Sequence, residues 1–126
     1  SAMQGKEFVL FGNDYDTPDG TCVRDYVHVE DIAQGILSSI DMLKNKTGAY
    51  RINLGGKSSY SNYEIIKAIT NQTGLKINLK IGKSRKGEPS VLVANTKKAK
   101  QLLNWKPCHC LNSIIKTAYL WYQKGN

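Results

Sequence analysis

Cys108-His109-Cys110 gathers two thiols and an imidazole within three residues, donors that suit a soft or borderline metal ion. A zinc site usually takes four ligands, commonly in Cys-x-x-Cys pairs, and the one other cysteine is Cys22, so no metal site is expected. Three cysteines are odd and few; they read as reduced thiols of a cytoplasmic protein rather than a disulfide framework. His28 stands between Val27 and Val29, where a histidine is ordinarily a packed or hydrogen-bonded structural group, and no catalytic role is assigned to it. The remaining chemistry is electrostatic. Residues 1–66 hold six Lys and Arg against nine Asp and Glu, whereas residues 67–126 hold twelve against one, Glu88. The whole chain carries a net charge of +8. A basic half suits nucleic acid, a phosphorylated ligand or an acidic partner surface. Its lysines are spread over helices and strands and are not interleaved with aromatics, which favours a solvated face over a nucleic-acid groove.

These side chains need a scaffold, and 126 residues suffice for one domain or a large piece of one. A chain of that size buries roughly two-thirds of its unfolded surface. No apolar run reaches membrane-spanning length, and there is no signal peptide. Ser1-Ala2-Met3 reads as an expression scar outside the fold, with the domain running from residue 4 to 126. Glu7–Phe11 is a strand candidate, and Cys22–Val29 is a second, rich in Val and Tyr. Ile32, Ala33, Ile36, Leu37, Ile40 and Leu43 then recur at helical spacing. Glu30 and Asp31 lie in that helix's first turn and Lys44 and Lys46 at its end, matching the macrodipole; Gly48 closes it.

Tyr50–Leu54 predicts another strand. Ser61 and Glu64 form a Ser-x-x-Glu capping box that opens a helix to about Thr73, with Gly74 as its C-cap. Lys76–Ile81 predicts a strand with Ile77, Leu79 and Ile81 on one face. A basic loop spans 82–90, Val91–Val93 is extended, Thr96–Leu103 is helical, and Leu111–Lys124 is the last helix. Alternating strands and helices define an α/β class. The strands are short and the chain enters them at once, so part of the sheet is expected to be missing.

Phe11-Gly12-Asn13-Asp14-Tyr15, Thr17-Pro18-Asp19-Gly20-Thr21 and Val23-Arg24-Asp25-Tyr26-Val27-His28-Val29-Glu30-Asp31 form one run. It closely resembles the stretch that opens the substrate-binding half of UDP-glucose 4-epimerases. Asn53-Leu54-Gly55 is similar to that family's strand ending in Asn-Leu-Gly. Arg85-Lys86-Gly87-Glu88-Pro89 is similar to its Arg-x-Gly-Asp-Pro loop, and Leu103-Asn104-Trp105-Lys106-Pro107 to its Leu-Gly-Trp-Lys-Pro turn. Several motifs in order, over about residues 7–124, are far more specific than any one alone.

The resemblance implies an α/β fold: the C-terminal substrate-binding fragment of an extended short-chain dehydrogenase/reductase (Rossmann-type) fold, with short strands and about four helices. It implies a cytoplasmic, homodimeric parent enzyme of galactose metabolism that interconverts UDP-glucose and UDP-galactose. NAD, held by an N-terminal half absent from this chain, takes hydride from the sugar C4 and returns it to the other face. A related epimerase, such as one acting on UDP-N-acetylglucosamine, or a dehydratase or decarboxylase, is the nearest alternative; a basic nucleic-acid-binding module is a more distant one.

Carried over residue by residue, the resemblance makes Arg24 and Arg85 the clamp on the diphosphate. That role suits the planar, paired donors of guanidinium. It sets Lys86 and Gly87 in the same loop, with Glu88 on the ribose hydroxyls in place of the family's usual Asp, one methylene longer. Tyr26 falls near the diphosphate or packs as a strand aromatic. The backbone of Val9, Leu10 and Phe11 reads uracil, and Leu92 lies where the family controls room around the sugar. The family's Gly-x-x-Gly-x-x-Gly is absent, and Gly55-Gly56 is a weak turn signal. Tyr63-Glu64-Ile65-Ile66-Lys67 has the family's Tyr-x-x-x-Lys spacing but lies outside its catalytic region, so no catalytic residue is expected in this chain. Where the family commonly has a Thr capping the last helix this sequence has Cys110, a poorer cap, and Asn112 is expected to cap instead.

Overall fold

In a computed structural model describing residues 1–125, the chain forms four helices and five short strands in the order ββαβαββαα. Strand β1 (Glu7–Phe11) lies parallel to β4 (Asn78–Gly82), with Glu7 opposite Asn78 and Phe11 opposite Gly82. A second sheet has the order β3–β2–β5. In it β2 (Val23–Asp25) runs antiparallel to β3 (Ser59–Ser61) and parallel to β5 (Val91–Leu92). Parallel pairing of strands far apart in sequence requires crossovers, and the helices supply them.

Helix α1 (Val29–Asn45) begins earlier than its apolar periodicity predicts, because the ring of His28 accepts a hydrogen bond from the Glu30 amide and caps it. The predicted strand through Val29 is therefore cut to Val23–Asp25. The helix ends at Asn45, with Lys46 as C-cap, short of Gly48. Helix α2 (Asn62–Thr73) carries both bonds of the Ser61–Glu64 capping box, and Gly74 closes it in the left-handed region at φ 71°. Helix α3 (Lys97–Leu103) ends on Asn104 at φ 50°, a conformation Asn tolerates better than other side-chain-bearing residues. Helix α4 spans Leu111–Lys124, as its sequence predicts.

Two expectations are corrected. Tyr50–Leu54 joins no ladder among the described residues: a strand needs a neighbour, and none lies beside it. Asn112 lies inside α4 and Cys110 holds the N-cap position, without a side-chain capping bond.

The core gathers Ala99, Leu103 and Trp105 against Val27, Met42, Ile52, Leu54 and Leu102. Trp105 donates its indole N–H to the Asp31 carbonyl at 2.8 Å, pinning the Trp-Lys-Pro turn to α1. Gly35 lets α1 approach this core, since a Cβ there would overlap the Leu54 side chain. No helix among the described residues is long and apolar enough to cross a membrane.

Candidate functional site

Arg24 lies mid-strand on β2, and its side chain reaches the loop that follows β4. Its Nη2 meets Glu88 Oε1 at 3.2 Å and donates to the Pro89 carbonyl at 3.0 Å. Its Nη1 donates to the carbonyls of Val23, at 2.8 Å, and Ser90, at 3.4 Å. The other oxygen of Glu88 accepts from the Tyr15 hydroxyl at 3.4 Å, and that hydroxyl accepts from the Arg85 amide at 3.2 Å. The Arg85 guanidinium lies 4.1 Å above the Phe11 ring. Thus the turn after β1, the middle of β2 and the 83–90 loop converge, and both arginines belong to one network through Glu88 and Tyr15. The pair Arg24–Glu88 is about a quarter exposed, at 21% and 28%, so its charges stay within reach of solvent and of a ligand.

Tyr15 is the member that the sequence does not single out. The Asn13–Gly20 stretch folds back on itself, with the Tyr15 amide donating to the Gly20 carbonyl at 2.9 Å, and this aims the ring at the 83–90 loop. Ser84 and Asp14 tie the same two loops together. Partial burial, then the nearby Cys22 and Glu88, hold the Tyr15 hydroxyl above the usual tyrosine range despite the Arg85 amide, so it is a hydrogen-bonding phenol at neutral pH.

The other predicted site residues spread around this network. Lys86 and Gly87 form its exposed turn, closed by the Glu88 amide on the Arg85 carbonyl at 3.2 Å. Leu92 is the register partner of Arg24, shares its face of the sheet and is 59% exposed. Val9, Leu10 and Phe11 lie on β1, which has β4 on one side and no strand on the other among the described residues, leaving one backbone edge open. Leu10 is buried at 3% and Phe11 is 40% exposed. Tyr26 is not brought to the arginines' loop: its hydroxyl donates to Asn62 Oδ1 at 3.4 Å, and its ring lines an apolar groove beside α2 and α4.

Three further groups do not form a site. Gly56 donates its amide to Asp25 Oδ2 at 3.2 Å, and Ala94 donates to the same oxygen at 3.3 Å. A carboxylate therefore stands where a pyrophosphate would go, and a strand rather than a helix follows, so the glycine pair does not fit a dinucleotide. Tyr63 and Lys67 are one turn apart on α2, and Lys67 opens on a polar hollow with Glu64 and Asn71 that includes no residue of the Arg24 network.

His28, Glu30 and His109 have ligand atoms within 4.8 Å of one another, but each ring nitrogen is already engaged. His28 bonds the Glu30 amide and, at 2.7 Å, Thr117; His109 bonds Asp31 at 3.0 Å and Glu30 at 3.2 Å. The two rings stack at 4.0 Å and 17°, which aims their in-plane nitrogens side by side rather than at one point. The set does not fit an ion; it is a structural lock. Burial pushes the Asp31 carboxyl up, but hydrogen bonds from Cys108 and His109 outweigh this and hold it below the usual range. Asp31 in turn raises His109, with Glu30 adding to it.

A strand-and-loop network of two arginines on a Rossmann-type piece fits a class before it fits an enzyme. Residues 1–55 match the model of the NAD dependent epimerase/dehydratase family. More narrowly, the chain is similar to UDP-glucose 4-epimerases over nearly all its length. The enzyme of that description from Lactobacillus helveticus is 44% identical over 98% of this chain. The crystal structure of UDP-glucose 4-epimerase from Bifidobacterium longum in complex with NAD+ and UDP superposes with a TM-score of 0.87, at 39% identity over 94% of this chain and 35% of its own. The UDP-Glc/GlcNAc 4-epimerase of Campylobacter jejuni superposes with a TM-score of 0.82, at 35% identity over 94% of this chain and 36% of its own. The chain spans 38% of the length of the Lactobacillus relative.

Proposed function

We propose that this chain supplies the UDP-sugar-binding surface of an NAD-dependent UDP-glucose 4-epimerase of galactose metabolism, with NAD held by a separate half of the fold. The single observation that supports it most is the Arg24–Glu88–Tyr15 network, which ties the Arg24 guanidinium to the backbone amide of Arg85, whose own guanidinium lies on Phe11 of the open-edged strand β1. In this reading Arg24 exchanges its bonds to loop carbonyls for diphosphate oxygens, and Arg85 leaves the Phe11 face to meet the same group. Glu88 and Tyr15 then turn to the ribose hydroxyls, and the open edge of β1 meets uracil. NAD supplies the hydride transfer when bound; the residues of this chain bind and orient the sugar nucleotide. The three unpaired cysteines support a cytoplasmic setting, and in this reading the parent enzyme is a homodimer.

Titration with UDP tests the reading. In a chain carrying both halves, the guanidinium signals of Arg24 and Arg85 shift on addition of UDP; unmoved signals overturn it. The 126-residue chain alone, given NAD and UDP-glucose, yields no UDP-galactose, and product above blank overturns the assignment of the chemistry to the other half.

The Campylobacter relative supports a second, narrower reading. Leu92 is exposed beside Arg24 and is an aliphatic side chain that leaves room for an N-acetyl group on the sugar. In the full-length enzyme Leu92→Tyr is expected to lower turnover of UDP-N-acetylglucosamine selectively. Equal losses with UDP-glucose sink this reading.

A further inference from the structure

Cys108 and Cys110 carry chemistry that nucleotide-sugar binding leaves unused, and both thiols are exposed. Cys22, by contrast, is buried at 2%. The backbone of the pair is held from one side, because the amides of Cys108 and His109 both donate to Asp31, at 3.0 and 3.1 Å. The sulfurs stay free to move. Cys108 Sγ lies 3.7 Å from the Lys106 carbonyl and Cys110 Sγ lies 3.5 Å from the Ser113 hydroxyl, and a thiol bonds weakly in either role. Two peptide units separate the Cα atoms of the pair, so the chain itself keeps them within about 7 Å, the reach of a disulfide.

The two thiols are not equivalent. Cys110 stands at the N-cap position of α4, where the helix favours a negative charge. The Ser113 hydroxyl first, then the nearby amides of Ser113 and Asn112, draw its thiol below the ordinary range. A thiolate at Cys110 in turn favours the charged form of the His109 ring beside it. The thiolate is the form of cysteine that attacks an oxidant. An exposed thiolate with a second exposed thiol two residues away has the parts of an attacking and a resolving cysteine.

We propose that Cys108 and Cys110 form a redox-sensing pair, which hydrogen peroxide closes into a reversible Cys108–Cys110 disulfide. The Cys110 thiolate attacks one oxygen of the peroxide, the O–O bond breaks, and the departing hydroxide takes a proton to become water. Cys110 is left as the sulfenic acid. The Cys108 sulfur then attacks the Cys110 sulfur, the S–O bond breaks, and hydroxide leaves with the Cys108 proton as a second water. The two sulfurs lose the electron pair that the peroxide gains. A ring this short and exposed is readily reopened by a small thiol, and transient disulfides of this kind are the ones a cytoplasmic setting allows. The ring also encloses His109, whose amide and imidazole both bond Asp31, so closing it pulls on the tie between α1 and the start of α4. The proposal does not rest on nucleotide-sugar binding, since none of its residues belongs to the Arg24 network.

The test treats the 126-residue chain with hydrogen peroxide and maps its thiols by alkylation and mass spectrometry. Trypsin cuts after Lys100 and Lys116 but spares the Lys106–Pro107 bond, so one peptide, 101–116, carries both cysteines. That peptide is expected to become lighter by one pair of hydrogens, to take up no alkylating agent, and to regain both thiols with dithiothreitol, while Cys22 stays reduced. Single variants read the order of attack. Cys108→Ser is expected to accumulate sulfenic acid at Cys110, labelled by a dimedone probe about threefold faster in the folded chain than in urea, because the fold favours the thiolate. Cys110→Ser keeps a capping residue at the head of α4 and is expected to leave Cys108 unlabelled over the same interval. A disulfide between two chains, a sulfinic acid at Cys110 beside a free Cys108, oxidation of Cys22 first, or equal labelling of Cys110 in the folded and unfolded chain overturns the proposal.

Discussion

Arg24 and Asp31 show how much one side chain can be asked to do here, and in opposite ways. Arg24 spends its donors on carbonyls and on Glu88, contacts that a diphosphate can replace with stronger, charge-assisted ones. Lys keeps the charge but loses the paired donors, so Arg24→Lys in the full-length enzyme is expected to weaken UDP binding by about tenfold, the worth of one charge-assisted bond. Isothermal titration reads this, and unchanged affinity removes Arg24 from the clamp. Asp31, by contrast, is 4% exposed and its oxygens take the amides of Cys108 and His109 and the His109 ring. Asp31→Asn turns acceptors toward donors and is expected to cost about 2 kcal/mol in urea unfolding, whereas a loss within error contradicts the lock. The pair also carries a pH signature. His109 is raised in the folded chain, so its contribution is whole below about pH 6.5 and fades as pH climbs through the folded value. Asp31 is lowered, so its contribution holds above about pH 4 and is lost as pH falls through its folded value. His109→Gln should therefore remove part of the stability difference between about pH 5.5 and 8.5 while leaving the acid limb in place. Parallel unfolding curves for the variant and the parent across that interval argue against an Asp31–His109 origin.

Elements were legible in the sequence where their signals are local. The Ser61–Glu64 box, the Gly74 stop and the boundaries of α4 lie within one turn of the residues that cause them, and each is found in place. Tyr50–Leu54 failed for the opposite reason: its alternation is real, with Ile52 and Leu54 against the core, but a ladder is a property of two segments. The three-residue Ser59–Ser61 strand has no apolar pattern to announce it. The site divides in the same way. Arg24, Arg85 and Glu88 were marked by motifs, whereas Tyr15 gains its place from the folding of a whole loop, which no spacing records. Where a local rule is broken, the break can be repaired. Cys110 heads α4 without a capping bond, and the Ser113 hydroxyl beside it draws the thiol below its ordinary range without satisfying the helix. Cys110→Ser supplies a preferred cap and is expected to stabilise the chain by about 1 kcal/mol, raising the melting midpoint by roughly 4 °C. A midpoint that stays put or falls means that other contacts already satisfy the α4 amides.

At the scale of the molecule, the apolar surface is arranged the wrong way round for a complete fold. Helix α1 turns Gly35 and Asp31 inward and leaves Val29 at 77%, Ile36 at 55%, Leu37 at 54%, Ile40 at 52% and Leu43 at 50% exposure. Beside it runs Tyr50–Leu54, with Leu54 against Gly35 and no strand neighbour among the described residues. A helix with a bare apolar stripe next to a segment without a ladder partner is what one side of an open α/β layer presents when further sheet is to pack on it. Under the proposed function that sheet is the NAD-binding half, so the stripe should matter for activity and hardly at all for the stability of this chain. Replacing Ile36 and Ile40 together by Glu puts charge on an already hydrated face, and the expected change in unfolding free energy is within about 0.5 kcal/mol. The same double variant, mixed with the NAD-binding part of the Lactobacillus helveticus enzyme as a separate chain, is expected to restore at least about tenfold less epimerase activity than the parent sequence, because the charges would have to be buried on docking. If the variant complements as well as the parent, the stripe does not face the sheet and the missing layer must be sought elsewhere on the surface. If it unfolds instead, α1 is held by its outer face, contrary to the packing of Gly35 and Trp105 at its inner one.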